Sequence, residues 1–146
     1  LAISIARALP HVEIRLVGPQ FSSPEEDLPE NIKLYRECSS QEAIRHVSEF
    51  LVGLIPFKVD RLTDSIDPIK YYEYRAAGLT VWSTSFGEMS KRSGAPGVEL
   101  VSWESPWLDL LNRAHLSPIE QVAQFRAAHD WSGRFGELSD IVMPNK

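Results

Sequence analysis

DPIKYYEYRAAGLTVWST, residues 67–84, reads as a helix, a stop and a strand with no gap between them. Asp67 has the chemistry of an N-cap, and Pro68 suits the first helical position, where its missing N–H is no loss and its fixed φ fits the helix. Ala76 and Ala77 carry the helix to Gly78, which tolerates the left-handed φ of a C′ residue, and Leu79 to Ser83 follows as a short apolar strand. On this reading Glu73 shares a helical stripe with Ile69, Tyr72 and Ala76, so it is expected at the edge of a buried face, where a carboxylate needs a partner.

Outward from this stretch, helical and strand patterns alternate along the chain. Leu1 to Leu9 has helical apolar spacing and ends at Pro10; Val12 to Val17 is a strand closed by Gly18-Pro19. Gln20 to Glu30, with Pro24, Pro29 and the acidic run Glu25, Glu26 and Asp27, reads as an exposed loop. Ile32 to Tyr35 is a strand, and Ser39 with Glu42 has capping-box spacing for a helix through Phe50, with Ala43, Ile44 and Val47 on its buried side. Leu51 to Ile55 is almost wholly apolar, as in a strand covered on both faces. Beyond the quoted stretch, Ser85 to Gly97 reads as loop with at most one helical turn, and Val98 to Val101 as a last strand. Ser105-Pro106 and Ser117-Pro118 each start a helix, through Ala114 and His129, and a closing helix is expected from Trp131 toward Val142. Five strands alternating with helices predict an α/β fold: a Rossmann-like, doubly wound parallel sheet flanked by helices, with a helical carboxyl-terminal segment.

Composition narrows the function classes. By length the 146 residues form one domain, able to bury about two-thirds of their unfolded surface. Twenty acidic against fifteen basic residues, a formal charge of -5, argue against a nucleic-acid surface. The single cysteine, Cys38, has no partner for a disulfide or a two-cysteine metal motif, which suits a reducing compartment. No apolar run reaches the roughly 20 residues of a membrane span, and nothing resembles a signal peptide, so a cytoplasmic location is expected. The chain opens on a helix with no strand before it, which suggests a piece of a longer α/β domain lacking its first strand. G-x-S-x-G, G-x-x-x-x-G-K-[ST] and G-x-G-x-x-G motifs are all absent.

Together, VGLIPFKVDRLTDSIDPIK (residues 52–70) and the proline, lysine, glutamate-tyrosine and alanine-alanine-glycine of 68–78 resemble the donor-binding segment of bacterial group 1 glycosyltransferases of the GT-B type. The resemblance runs from Val12 to about Val142, with its specific motifs in the middle third. It implies a carboxyl-terminal, donor-binding domain that takes a nucleoside-diphosphate sugar and passes the sugar to a glycan or lipid-linked acceptor, held mainly by an amino-terminal domain not included here. It further implies cell-surface glycan synthesis, with peripheral association at the inner face of the membrane.

The resemblance gives Glu73 the ribose hydroxyls, for which a carboxylate offers two acceptor oxygens. An intrahelical pair with Lys70, or a bond from a tyrosine of the YYEY run, would satisfy Glu73 equally well. Lys70 and the helix start at Asp67-Pro68 are candidates for the diphosphate, although Pro68 brings no N–H and Asp67 a negative charge. Phe57 and the polar loop Lys58 to Ile66 follow a central strand, on the side of an α/β sheet where ligands collect. Ser65 stands seven residues before the position preceding Glu73's own, where many retaining relatives carry a first glutamate, so the sugar-contacting carboxylate is absent. There is no D-x-D triplet, and no metal or other cofactor is expected. His46, His115 and His129 read as edge or helix-end residues. The alternative reading is a non-catalytic Rossmann-like module retained for interaction or regulation.

Overall fold

The computed structural model describes residues 1–19 and 27–130. Helix α1 (Ala2–Ala8) leads into strand β1 (Ile14–Val17), followed by β2 (Ile32–Tyr35), α2 (Ser40–Ser48) and β3 (Val52–Ile55). A 3-10 turn (Thr63–Ser65), α3 (Ile69–Ala76), β4 (Thr80–Ser83), α4 (Gly87–Lys91), β5 (Val98–Leu100), α5 (Trp107–Arg113) and α6 (Ile119–His129) complete the order. The five expected strands and the helices up to His129 are present; the closing helix expected from Trp131, with Phe135 and Leu138, lies outside the described residues.

All strand pairing is parallel, but the strands form two sheets, β1-β2 and β3-β4-β5, where the sequence predicted one. Ile14 pairs with Ile32 in the first, and Val52 with Thr80 and Val81 with Val98 in the second. No hydrogen-bonded ladder joins β1 to β3, because a groove separates them. Local periodicity identifies a strand; it carries no information about which strand lies beside it.

Helices cover both faces of the larger sheet, and the period-2 alternation of its strands sorts their side chains between two cores. Val52, Leu54 and Trp82 face α1 and α5, in a cluster that also takes in Ile5, Leu9, Ile14, Ile32, Trp107 and Leu110. Ile55 and Val81 face the other way, onto Tyr71 of α3, Phe86, Met89 of α4 and Val98. The first cluster spans both sheets, so shared apolar burial holds them together where backbone bonds do not. Asn31 reinforces that contact: its side-chain amide donates to the carbonyl oxygens of Ala6, Leu9 and Val12 at 3.1, 3.0 and 2.9 Å, capping the end of α1 from the edge of β2.

Several local expectations hold. Ser39 caps α2 in a reciprocal box with Glu42, whose carboxyl group is held below its usual range first by the Ser39 amide. Gly78 sits at φ +84 after α3, with Gly78 N–H donating to Arg75 O and Leu79 N–H to Tyr74 O, which is the Schellman pattern. His115 and His129 lie at helix ends with Nδ1 against the carbonyl oxygens of Arg113 and Phe125. Others need correcting. Ile44, expected on the buried side of α2, is 68% exposed. Pro68, Pro106 and Pro118 occupy N-cap positions with no side-chain cap, one residue earlier than expected, because their ψ values of 122°, 79° and 146° are not helical.

At Gly53 the ring of Tyr74, on α3, packs directly against the backbone of β3. A Cβ built there would lie 2.2 Å from the ring of Tyr74, so any side chain at 53 displaces the tyrosine or the helix. Gly53→Ala is expected to lower stability by about 1–3 kcal/mol, the usual cost of overpacking. In urea unfolding, Tyr74→Leu in the same chain should recover part of the loss; additive losses would show that Tyr74 is not the obstacle.

Candidate functional site

Parallel strands with helical crossovers present their carboxyl ends, and the loops that leave them, on one side of the sheet. Here that side is built by Pro56 and Phe57 after β3, the loop 58–68, the first turn of α3, and Thr84 to Phe86 after β4. The residues singled out in the sequence fall on this side or on the exposed flank of α3.

The loop is internally tied. Asp60 Oδ1 accepts from the backbone amides of Leu62 and Thr63, both at 3.0 Å, and Thr63 Oγ1 donates to Lys58 O at 2.6 Å. These bonds, led by the Thr63 amide, hold the Asp60 carboxyl group below its usual range. Asp60 and Thr63 thus shape the polar loop from within. Ser65 ends the 3-10 turn and is exposed, in the place where the resemblance would put a sugar-contacting glutamate. Phe57 is 39% exposed and stacks on Phe86 at a centroid separation of 5.0 Å, while its carbonyl accepts from Thr84 Oγ1 at 2.6 Å.

Helix α3 sits one residue later and is turned differently from the expectation. Its buried stripe is Tyr71 and Arg75, at i and i+4, while Ile69 is 69% exposed and Glu73 lies open on the surface rather than at the edge of a buried face. Asp67 does not cap the helix, because its carboxylate is engaged elsewhere. It accepts from Tyr72 Oη at 2.6 Å and from Arg92 Nη2 at 2.8 Å, and the Arg92 guanidinium lies 4.1 Å from the Tyr71 ring centroid. Of the two partners open to Glu73, the structure shows Lys70: Nζ donates to Oε2 at 2.6 Å, which raises the lysine's pKa against partial desolvation. Both side chains are about half exposed, so the pair contributes about 0–1 kcal/mol and can be exchanged for a ligand at little cost. Lys70 and Glu73 are thus brought together, Asp67 joins Arg92 and Tyr72, and Phe57 joins Phe86.

Arg75 and Arg92 were not among the residues read from sequence. For Arg92 the carboxylate that gives it a role, Asp67, lies 25 positions away, where local spacing carries no signal. Among the described residues no cluster of three or more His, Cys, Asp or Glu side chains could hold a metal ion. No described helix is long and apolar enough to cross a membrane.

Two cavities stand out, and neither is lined by Asp67, Lys70 or Glu73. One, of about 420 Å3, lies among Thr80, Gly97, Glu99, Arg113 and His115, at the amino ends of β4 and β5. The other, of about 620 Å3, is the groove between the sheets and reaches Pro56 at its carboxyl end. Comparison of the chain with protein-family models, curated proteins and solved structures returned no match.

A carboxyl group held below its ordinary pKa stabilises the fold above its unfolded value, about 3.9 for Asp, and that contribution disappears as pH falls through the folded value. Asp60→Ala should therefore cost stability at neutral pH, with the gap from wild type closing below about pH 4. Urea midpoints measured across that range check this; a gap independent of pH would mean that the Asp60 carboxylate is not what ties the loop.

Proposed function

We propose that this chain is the donor-binding domain of a GT-B-type glycosyltransferase, taking a nucleoside-diphosphate sugar at the carboxyl ends of β3 and β4. The observation that carries the reading is the placement of Lys70 and Glu73, exposed and adjacent on α3, the helix that follows the loop from β3. Glu73 would exchange Lys70 for the two ribose hydroxyls, leaving the ammonium free to approach the diphosphate. The amides of Ile69 and Lys70, in the first turn of α3, would add the positive end of the helix dipole. Phe57, held against Phe86, offers an apolar wall at the carboxyl end of β3.

Transfer breaks the bond between the sugar's anomeric carbon and the terminal phosphate oxygen, and negative charge grows on the departing nucleoside diphosphate. Fixed positive groups there lower the barrier electrostatically. A doubly wound sheet, with this site near its switch point, is the arrangement the reading requires. The acceptor and the residue that activates it would belong to an amino-terminal partner domain, and glycan synthesis at the inner membrane face is the setting the proposal favours. Ser65, in place of a sugar-contacting acid, favours a second reading: a related module that has lost transfer chemistry.

Thermal melting with UDP, GDP, ADP, dTDP and their sugars tests this. One nucleotide at about 100 times its dissociation constant should add roughly 2.7 kcal/mol, a shift of several degrees. Glu73→Gln should melt within a degree or so of wild type without ligand, since the Lys70 pair is exposed, and should lose most of the ligand shift. An equal shift in the variant would remove Glu73 from the site. No shift with any nucleotide would favour the non-catalytic reading.

A further inference from the structure

Strands β1 and β3 each pair on one side only, so each has an unpaired edge, and the two edges face the same groove. All four residues of β1 line it, with Val52, Gly53 and Leu54 of β3 opposite and Ala2 and Ile5 of α1 and the following Leu9 along it. Leu16, Val17 and Leu51, apolar residues of this lining, are 38%, 37% and 39% exposed. Unpaired strand edges with apolar surroundings are sites of strand addition, and natural proteins normally cover them. Trp82 gives a second, independent sign. It is 2% exposed and lines the groove, yet its indole N–H is the buried side-chain polar group without a hydrogen-bond partner among the described residues. A buried indole N–H normally has one.

We propose that this groove is the seat of a further parallel β-strand, supplied by polypeptide joined directly ahead of Leu1. The topology selects that source. Helix α1 ends at Ala8 and its chain enters β1 from the amino side, so α1 runs back along the strands and its first turn lies toward their carboxyl ends. A strand seated parallel to β1 and β3 would finish at that same end, a short turn from Leu1.

Handedness agrees. The crossover from β3 through α3 to β4 leads away from the groove on one face. A crossover from the seated strand through α1 to β1 leads away in the opposite direction on the opposite face, which gives both the same hand. Right-handed crossovers are close to obligatory in parallel sheets. The completed order would be β2-β1-seat-β3-β4-β5, one continuous sheet whose direction of winding reverses at the seated strand. A strand of four residues, the length of β1 and β3, with apolar side chains on both faces, fits this position.

The test adds Val-Ile-Val-Ile-Gly-Asn-Gly ahead of Leu1 and compares three chains by amide hydrogen exchange and sedimentation: unextended, extended, and extended with the second and third residues changed to proline. The extended chain should be monomeric, with exchange at edge amides among residues 14–17 and 52–55 slowed by about tenfold or more, as expected of new ladder bonds. Its Trp82 indole N–H should also exchange more slowly. The proline version should match the unextended chain. Equal exchange in all three chains would overturn the proposal. So would protection of these amides in an unextended dimer, which would give the groove to a second copy, or in an unextended monomer, which would mean that the edges are already covered.

Discussion

A buried cation, Arg75, ties together the described part of the carboxyl-terminal half. Arg75 is 6% exposed, and burial, the main influence on it, pulls its pKa below the ordinary guanidinium value. No described carboxylate pairs with it. Nη1 donates to Leu79 O at 2.6 Å and to Ser117 Oγ at 3.0 Å, and the guanidinium stands 6.0 Å from the Phe125 ring centroid. One side chain therefore joins the end of α3, the entry to β4, the connection from α5 to α6, and α6 itself. The chain makes room for it at Gly97, where a Cβ would lie 2.2 Å from Nη1. A buried charge without such acceptors would cost several kcal/mol, so Gly97, Ser117 and the path of the backbone at Leu79 are all conditions of placing it.

That constraint sets the orientation of α3, and with it the character of the site. Tyr71 and Arg75 on one stripe direct Lys70 and Glu73 outward, and Arg126 Nε, bonded to Ala76 O at 2.8 Å, fastens α6 against the end of the same helix. At the other end of α3, Asp67 is held by Arg92 and Tyr72, so the start of the helix is fixed by a network and not by a cap. Rigid support behind exposed, exchangeable groups is how a binding surface is held ready at low cost. The amino-terminal half is held differently: α1 and Asn31 bind the small sheet to the large one through apolar contact and three side-chain bonds, and the groove between the sheets remains.

What could be read in the sequence was what neighbouring residues decide among themselves. The capping box at Ser39 and Glu42, the stop at Gly78 and the apolar runs of the five strands all depend on contacts within a few positions, and the structure has them. The Lys70–Glu73 pair, three residues apart, was open to the same reasoning. The misplaced features depend on distant partners. Asp67 is a good N-cap by residue type, but Arg92, 25 positions on, takes its carboxylate. Ile69 looked like a core residue, and Arg75 carried no signal at all until Leu79 O, Ser117 and Gly97 were in place to receive the guanidinium. The division into two sheets likewise could not be seen from strand-by-strand alternation, because it is a property of which edges meet.

On the proposed reading, ligand chemistry belongs to the carboxyl ends of β3 and β4 and the flank of α3. Amide chemical shifts of the 15N-labelled chain, recorded with and without an excess of mixed UDP, GDP, ADP and dTDP, test it directly. Changes are expected to cluster at the amides of residues 57–58, 69–74 and 84–87. Changes confined to 93–99 and 113–115, around the cavity at the amino ends of the strands, would contradict it and move the site to the opposite side of the sheet.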